Sequence, residues 1–202
     1  LTERGERALL IYNHHCHVDW YPLMCLMARM NHLGHTKITM KEGLKHAPFF
    51  GWAFQAGVYI FLKRQRDRDM AWIDSCLTYL QDHNQPVSLI LFPEGTDLSP
   101  RMIEQSHKYS EENNLPKTHH VLHPRTGGLH AISTTMRSHL DCVYDVTLRY
   151  QYYKEGERPS ELGLAKGRFP KSVTMHVHRY DIDDLPQDAD DLRAWCKERT
   201  LM

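Results

Sequence analysis

The stretch ALLIYNHHCHVDW, residues 8–20, predicts a buried strand, a polar loop and the start of a helix. Its first five residues are apolar, which is typical of a strand that is buried on both faces. Three histidines and an aspartate then follow within the seven residues from Asn13 to Asp19. From Trp20 to Met30 the apolar residues recur at helical spacing. A strand that leads into a helix through a tight loop is typical of α/β folds.

His14 and Asp19 are spaced so that they can meet only if a helix begins between them. On one continuous helix, residues five positions apart point about 140° away from each other. If Asp19 lies in the first helical turn, where a carboxylate suits the helix dipole, it can accept a hydrogen bond from one imidazole nitrogen. The other nitrogen can then take a proton from a substrate hydroxyl. The pair therefore predicts direct acyl transfer to an alcohol, without a protein nucleophile.

The same loop permits two other interpretations. The pattern His15-x-His17-x-Asp19 matches the start of the His-x-His-x-Asp-His signature of metallo-β-lactamase-like hydrolases, which bind zinc through imidazole and carboxylate ligands. Trp20 occupies the position of the last histidine, so this signature lacks one ligand. Because the chain has 15 histidines, His15 and His17 can also be ordinary solvent-facing residues.

A second polar turn, FPEGT at residues 92–96, follows another buried strand. Its proline ends strand pairing because it lacks a backbone N–H, and Gly95 allows a positive φ and a close approach to a ligand. Glu94 and Thr96 offer an acceptor and a hydroxyl at the carboxyl end of the strand, where ligands bind in open α/β sheets. We expect this turn to lie at the same sheet edge as the His14 loop.

Strand and helix patterns alternate along the whole chain, which predicts a single α/β domain over residues 1–202. We predict a mixed, mostly parallel sheet of about seven strands with helices on both faces. The expected strands lie at residues 8–12, 36–40, 58–62, 87–92, 120–123, 142–150 and 172–180.

Two cations, Lys63 and Arg64, follow the predicted strand at 58–62. Cations at the end of a buried strand suit an anion such as phosphate. The alternative is a solvated run of charges, since Arg66 and Arg68 follow closely.

The composition of the chain argues against several classes of protein. Lys and Arg number 25 and Asp and Glu also number 25, so net charge gives no sign of a nucleic-acid partner. The five cysteines include no CxxC pair, which favours a reducing compartment over a disulfide framework. The sequence shows no signal peptide and no run of 18 apolar residues. Because it starts at Leu1, close to the histidine-rich loop, we expect a segment of a longer protein whose membrane anchors lie outside it.

These motifs resemble those of the glycerolipid acyltransferases, the family of 1-acylglycerol-3-phosphate acyltransferases. Residues 14–19 are similar to the family's His-x-x-x-x-Asp block, and residues 92–96 to its Phe-Pro-Glu-Gly-Thr block. Residues 57–64 are similar to the second block, with one additional residue between glycine and arginine, and residues 121–125 correspond to the fourth. The segments that resemble the lysocardiolipin acyltransferase branch in particular are 51–53, 59–61, 92–98, 121–126 and 176–180.

The resemblance implies an activity and a set of site residues. A member of this family moves a fatty acyl group from acyl-CoA to the free glycerol hydroxyl of a lysophospholipid, in phospholipid biosynthesis. His14 would be the general base, and Asp19 would orient it. The substrate-binding residues implied in the same way are Lys63, Arg64, Glu94, Gly95, Thr96 and Arg125.

The resemblance also implies partners and a location. It implies no metal or cofactor, acyl-CoA as co-substrate, contact with a membrane surface, and the endoplasmic reticulum for the full-length protein. Lysocardiolipin, lysophosphatidylinositol, lysophosphatidylglycerol and lysophosphatidic acid remain open as acceptors. Asp97 stands where many members carry an arginine associated with substrate phosphate, and an acid there favours a larger head group. The alternatives are a zinc-dependent hydrolase that uses His15, His17 and Asp19, and a non-catalytic lipid-binding module.

Overall fold

The computed structural model describes residues 6–63, 65–84, 86–154 and 157–201, and strands alternate with helices through these ranges. The strands are β1 (Ala8–Tyr12), β2 (Thr36–Lys41), β3 (Ile60–Leu62), β4 (Ser88–Leu91), β5 (Cys142–Gln151) and β6 (Ser172–Asp181). The helices are α1 (Trp20–Arg29), α2 (Phe50–Ala56), α3 (Arg66–Asp82), α4 (Pro100–Glu112), α5 (Gly127–Thr135), α6 (Glu161–Ala165) and α7 (Ala189–Leu201). The predicted α/β class is confirmed.

The strands form one mixed, mostly parallel sheet in the order β3-β2-β4-β1-β5-β6. All neighbouring pairs run parallel except β5 and β6, which are antiparallel. The carboxyl ends of the first five strands therefore lie at one edge of the sheet. Because β1 lies between β4 and β5, the loop that follows it emerges from the interior of that edge.

The residues of β1 face two cores, one on each side of the sheet. Leu9 and Ile11 pack with residues of α3, α5 and α7, whereas Leu10 and Tyr12 pack with residues of α1. Every residue of β1 is at most 5% exposed. Full burial of such a side chain stabilises the fold by about 1.5–3 kcal/mol. Helices on both faces, as predicted, are what a strand of this composition requires.

The predicted strand at residues 120–123 is wrong, so the sheet of the described residues has six strands rather than about seven. The backbone N–H of Leu122 donates to the carboxylate of Glu94 (2.8 Å), and that of His123 donates to the hydroxyl of Ser106 (3.3 Å). These donors are satisfied by side chains and not by a neighbouring strand. The chain bends at residues 119–121, and a short segment held by side chains can carry the same sequence pattern as an edge strand.

β5 continues beyond the end of β1. The last pair between the two strands is Tyr12 with Val146, and β5 then runs on to Gln151 with β6 as its partner. The side chain of Asn13 prolongs the pairing by one step: its oxygen accepts from the N–H of Leu148 (2.6 Å), and its amide donates to the carbonyl of Leu148 (3.0 Å). The loop that carries the histidines is therefore anchored to β5 where it begins.

Candidate active site

His14 and Asp19 form a hydrogen-bonded pair at the carboxyl edge of the sheet, with Nδ1 of His14 3.0 Å from Oδ2 of Asp19. Asp19 is the N-cap residue of α1, but its carboxylate turns back into the loop and makes no capping hydrogen bond. The side chain of His14 is 23% exposed and that of Asp19 only 1%. With Nδ1 on the buried carboxylate, Nε2 is the ring nitrogen available to a substrate.

The Asp19 carboxylate accepts hydrogen bonds on both of its oxygens. Oδ2 also accepts from the backbone N–H of Cys16 (3.0 Å), while Oδ1 accepts from the hydroxyl of Tyr150 (2.8 Å) and the thiol of Cys16 (3.2 Å). Burial raises the pKa of Asp19, but its hydrogen bonds, first that from His14, outweigh burial, and the pKa lies below its usual value. Asp19 is therefore an anion at neutral pH and favours a fixed orientation of His14.

Glu94 is the second buried carboxylate of the site and is 2% exposed. Its Oε1 accepts from the backbone N–H of His14, and its Oε2 accepts from that of Leu122, both at 2.8 Å. Burial raises the pKa of Glu94 to about 7, and the two backbone hydrogen bonds offset only part of this effect. Glu94 thus joins the His14 loop, its own turn and the segment around Leu122. The loop and the turn meet at the same sheet edge, as expected.

Gly95, Thr96 and Arg125 are neighbours beside this carboxylate. Gly95 has a φ of +71°, and a Cβ added there would lie 3.5 Å from Cδ of Arg125, so the arginine stem lies across the turn. The backbone N–H of Arg125 donates to the carbonyl of Pro93 (2.7 Å). The hydroxyl of Thr96 lies 3.4 Å from Oδ1 of Asp97. The exposed side chain of Arg125 therefore lies at the rim of the candidate site.

Lys63 lies at the same edge but at some distance from His14. It follows β3, which is three strand spacings from β1, or about 14 Å. Its backbone N–H donates to Asp69 (2.8 Å), and its Nζ lies 3.4 Å from Oε1 of Glu42. Arg64, the other predicted phosphate ligand, lies outside the described residues.

The three residues of the alternative zinc site do not converge. Nε2 of His15 lies 2.9 Å from the hydroxyl of Tyr152, and Nε2 of His17 lies 3.5 Å from Oδ1 of Asp97, whereas Asp19 faces His14. Over the described ranges, no group of three or more His, Cys, Asp or Glu side chains is arranged to hold a metal ion. The placement of these residues does not support a zinc-dependent hydrolase.

Sequence reasoning missed Tyr150, the residue that donates to Asp19 from a distant part of the chain. The two residues are 131 positions apart, and no local motif links them. The signal in the sequence that could have identified Tyr150 is its position at the end of a predicted strand, with a second tyrosine, Tyr152, two residues later. That pattern becomes informative only once β5 is known to lie next to β1.

Comparison with known proteins agrees with this geometry. Residues 2–150 match the family described as Acyltransferase, and residues 163–199 match that described as Acyltransferase C-terminus. The chain is 39% identical over 197 residues to lysocardiolipin acyltransferase 1 of Danio rerio, covering 96% of this chain and 50% of that protein. It is 35% identical over 190 residues to probable 1-acyl-sn-glycerol-3-phosphate acyltransferase 5 of Arabidopsis thaliana, covering 94% and 50%.

A third relative is lysophosphatidylinositol acyltransferase 10 of Caenorhabditis elegans, which is 30% identical over 202 residues, covering 98% of this chain and 51% of that protein. The chain thus spans about half the length of the curated relatives it matches. Within the described residues, no helix has both the length and the apolar character needed to cross a bilayer. The first family match includes the His14 loop, the Glu94 turn and Arg125. The predicted resemblance is confirmed, and the chain belongs to the acyltransferase family.

Proposed function

We propose that this protein transfers a fatty acyl group from acyl-CoA to a free glycerol hydroxyl of a lysophospholipid. The observation that carries the proposal is the pair of His14 with the buried, anionic Asp19, which leaves Nε2 of the imidazole for a hydroxyl group. The family match supports the same reaction, and the three relatives are all named as acyltransferases of lysophospholipids.

In the proposed reaction, His14 acts as general base and then as general acid. Nε2 takes the proton of the glycerol hydroxyl as its oxygen forms a bond to the thioester carbonyl carbon. The tetrahedral intermediate then breaks its carbon–sulfur bond, and the departing CoA thiolate receives the proton from the imidazolium. Asp19 remains ionised throughout, holds the ring and stabilises the imidazolium.

The positions of the described side chains support separate roles for the residues that we propose to bind substrate. Arg125 has an exposed side chain beside the turn, which suits the phosphate of the acceptor. Thr96 and Gly95 border the same space. Lys63 would hold a phosphate farther along the edge, and we propose the same binding role for Arg64. Glu94 is buried and accepts from two backbone N–H groups, so we assign it the role of holding the His14 loop in place.

Asp97 favours a lysophospholipid with a larger head group over lysophosphatidic acid. Its carboxylate lies 3.5 Å from Nε2 of His17, and the side chain is 19% exposed. A carboxylate at the rim repels a dianionic phosphomonoester more strongly than a monoanionic phosphodiester. We therefore propose lysocardiolipin, lysophosphatidylinositol or lysophosphatidylglycerol as acceptors.

We also propose that residues 1–202 form the acyltransferase domain of a longer protein that works at a membrane, such as that of the endoplasmic reticulum. The relatives are about twice as long as this chain. Trp20 directly follows the His14 loop, and Phe49 and Trp52 lie in the connection that leaves the same sheet edge after β2; all three are exposed. Exposed aromatic side chains of this kind suit a lipid interface.

The test is transfer of a labelled acyl group from acyl-CoA to a panel of lysophospholipids by the full-length protein. His14→Ala should lower the rate by about 10²–10⁴-fold, because it removes the general base. His17→Ala is the matched control from the same loop and should retain nearly the wild-type rate, since that side chain is 72% exposed. No transfer to any acceptor, or an unaffected His14→Ala variant, would show that the proposal is wrong.

A further inference from the structure

Tyr150 contacts the Asp19 carboxylate from a part of the fold that lies outside the histidine loop. Its hydroxyl donates to Oδ1 at 2.8 Å, while Oδ2 accepts from His14 and from the backbone N–H of Cys16. Tyr150 is 8% exposed and belongs to β5, in the extension that β6 supports beyond the end of β1. The donor to Oδ1 is thus fixed by the sheet, whereas the donors to Oδ2 belong to the loop.

We propose that Tyr150 is a positioning residue for the acyl transfer: its hydroxyl locks the Asp19 carboxylate in the rotation that aims Oδ2 at His14. This inference rests on the proposed function. A carboxylate that accepts hydrogen bonds on one oxygen only can rotate about its Cβ–Cγ bond. Donors on both oxygens prevent this rotation. The Cys16 thiol also points at Oδ1, at 3.2 Å, but a thiol is a weak donor.

The surroundings of Tyr150 favour a hydroxyl that donates to Asp19. Burial, followed by the charge of Asp19, raises the pKa of its phenol, so the hydroxyl remains protonated and able to donate. Its ring stacks on that of Tyr152 with a centroid distance of 6.1 Å. The ring also lines an apolar cavity of about 170 Å³, together with Val18 and Phe169. The ring of Tyr150 is thus packed against Tyr152 on one side and borders the cavity on another, while its hydroxyl reaches Asp19.

A donor to Asp19 also affects how strongly the carboxylate attracts a proton on His14. Removing the hydroxyl concentrates negative charge on the carboxylate, which stabilises the protonated imidazole. The acidic limb of the pH profile of kcat/KM, which reports protonation of the base, should then move to higher pH. The other titratable groups around the pair are His15, Cys16, Glu94 and Tyr152, with His17, Asp97, His120 and Arg158 at the rim; of these, only Tyr152 is changed below, in the control variant.

The experiment compares Tyr150→Phe with Tyr152→Phe in the full-length protein. Both changes remove one phenol oxygen, since Tyr150 lies near the end of β5 and Tyr152 just beyond it, but the hydroxyl of Tyr152 contacts His15 at 2.9 Å and not Asp19. Tyr150→Phe should lower kcat by roughly tenfold to a hundredfold with little change in KM, and move the acidic limb up by roughly half a pH unit or more. Tyr152→Phe should leave both the rate and the profile near those of the wild type.

A second substitution works in the opposite direction and keeps the shape of the site. Replacement of Tyr150 by 3-fluorotyrosine gives a more acidic phenol and a stronger donor, so the acidic limb should move to lower pH. Equal effects of the two phenylalanine variants, or a lower rate with an unshifted profile, would mean a structural role and overturn the inference. If the Tyr150→Phe variant does not fold, the 3-fluorotyrosine protein decides the question. A shift of its acidic limb to lower pH supports the inference, and an unshifted limb or a shift to higher pH overturns it. Failure of the wild-type protein to transfer acyl groups would count against the proposed function instead.

Discussion

Asp19 and Glu94 are two buried carboxylates that contact the same residue, yet their pKa values are shifted in opposite directions. Asp19 accepts from the ring of His14, a phenol, a thiol and a backbone N–H, and its pKa lies below the usual value. Within the described part of the chain, Glu94 accepts only from two backbone N–H groups, and its pKa is raised to about 7. The number and type of donors, and not burial alone, decide which carboxylate remains charged. Asp19, which is charged at neutral pH, serves the imidazole, whereas Glu94, whose pKa is about 7, holds the backbone.

The largest effect is expected from Asp19→Asn. An amide cannot accept the full set of donors, and it cannot stabilise an imidazolium by charge. Loss of the equivalent aspartate in a serine protease lowers kcat by about 10⁴-fold, and we expect a decrease of about 10³–10⁴-fold here. The measurement is kcat at saturating acyl-CoA and acceptor, with thermal unfolding as the control for folding. A decrease of less than tenfold would mean that the charge of Asp19 is not used.

A smaller effect, on stability, is expected from Glu94→Gln. Glutamine has a single acceptor oxygen, so the N–H of either His14 or Leu122 loses its partner, at a cost of about 1–3 kcal/mol in the free energy of unfolding. The pH dependence is the sharper test. The pKa of Glu94 is raised from the usual 4.5 to about 7 in the folded state. Protonation of Glu94 therefore stabilises the folded state, and this contribution is fully present below pH 4.5 and is lost as the pH rises to 7.

Denaturant unfolding of both proteins at several pH values between 5 and 8 measures this contribution. The advantage of the wild type over Glu94→Gln should shrink as pH rises towards 7, by at most about 1.4 kcal/mol per pH unit. Every other side chain is the same in the two proteins, so the difference between the two curves isolates Glu94. A difference that is constant across this range would show that Glu94 is ionised throughout, like Asp19.

The smallest effect is expected from Asp97→Arg, since Asp97 is a partly exposed carboxylate of the same site. A pair of unit charges 4 Å apart in water is worth about 1 kcal/mol, and lysophosphatidic acid carries one negative charge more than a phosphodiester. The ratio of kcat/KM for lysophosphatidic acid to that for lysophosphatidylinositol should therefore rise by about tenfold. The control is Asp183→Arg, an exposed aspartate beyond β6 at the opposite edge of the sheet. An unchanged ratio in a folded, active variant would mean that Asp97 does not face the head group.

The sequence predicted those parts of the fold and site that depend on neighbours along the chain. The apolar run before Asn13 and the spacing of His14 and Asp19 identify a strand, a loop and a helix start, and the structure has all of them. The Glu94 turn was recognised for the same reason. What the sequence did not predict was that the oxygens of Glu94 accept from backbone N–H groups, or that Tyr150 donates to Asp19.

Those missed contacts join residues that are far apart in sequence. The partner of Glu94 at Leu122 lies 28 residues away, and the partner of Asp19 at Tyr150 lies 131 residues away. Such pairs depend on strand order, which hydrophobic periodicity does not encode. The same limitation explains the wrong strand at residues 120–123. The sequence pattern does not show whether the backbone N–H groups of such a segment donate to a neighbouring strand or to side chains.

The place of β1 in the sheet has a consequence for the synthesis of the chain. Among the six described strands β1 is translated first, and both of its partners, β4 and β5, are translated much later. Until then a fully apolar strand has two unpaired edges, which is the kind of segment that associates with other chains. Parallel pairing across such long connections is also slow. The interior position that orients the His14 loop therefore leaves β1 open to association with other chains until β5 has been made.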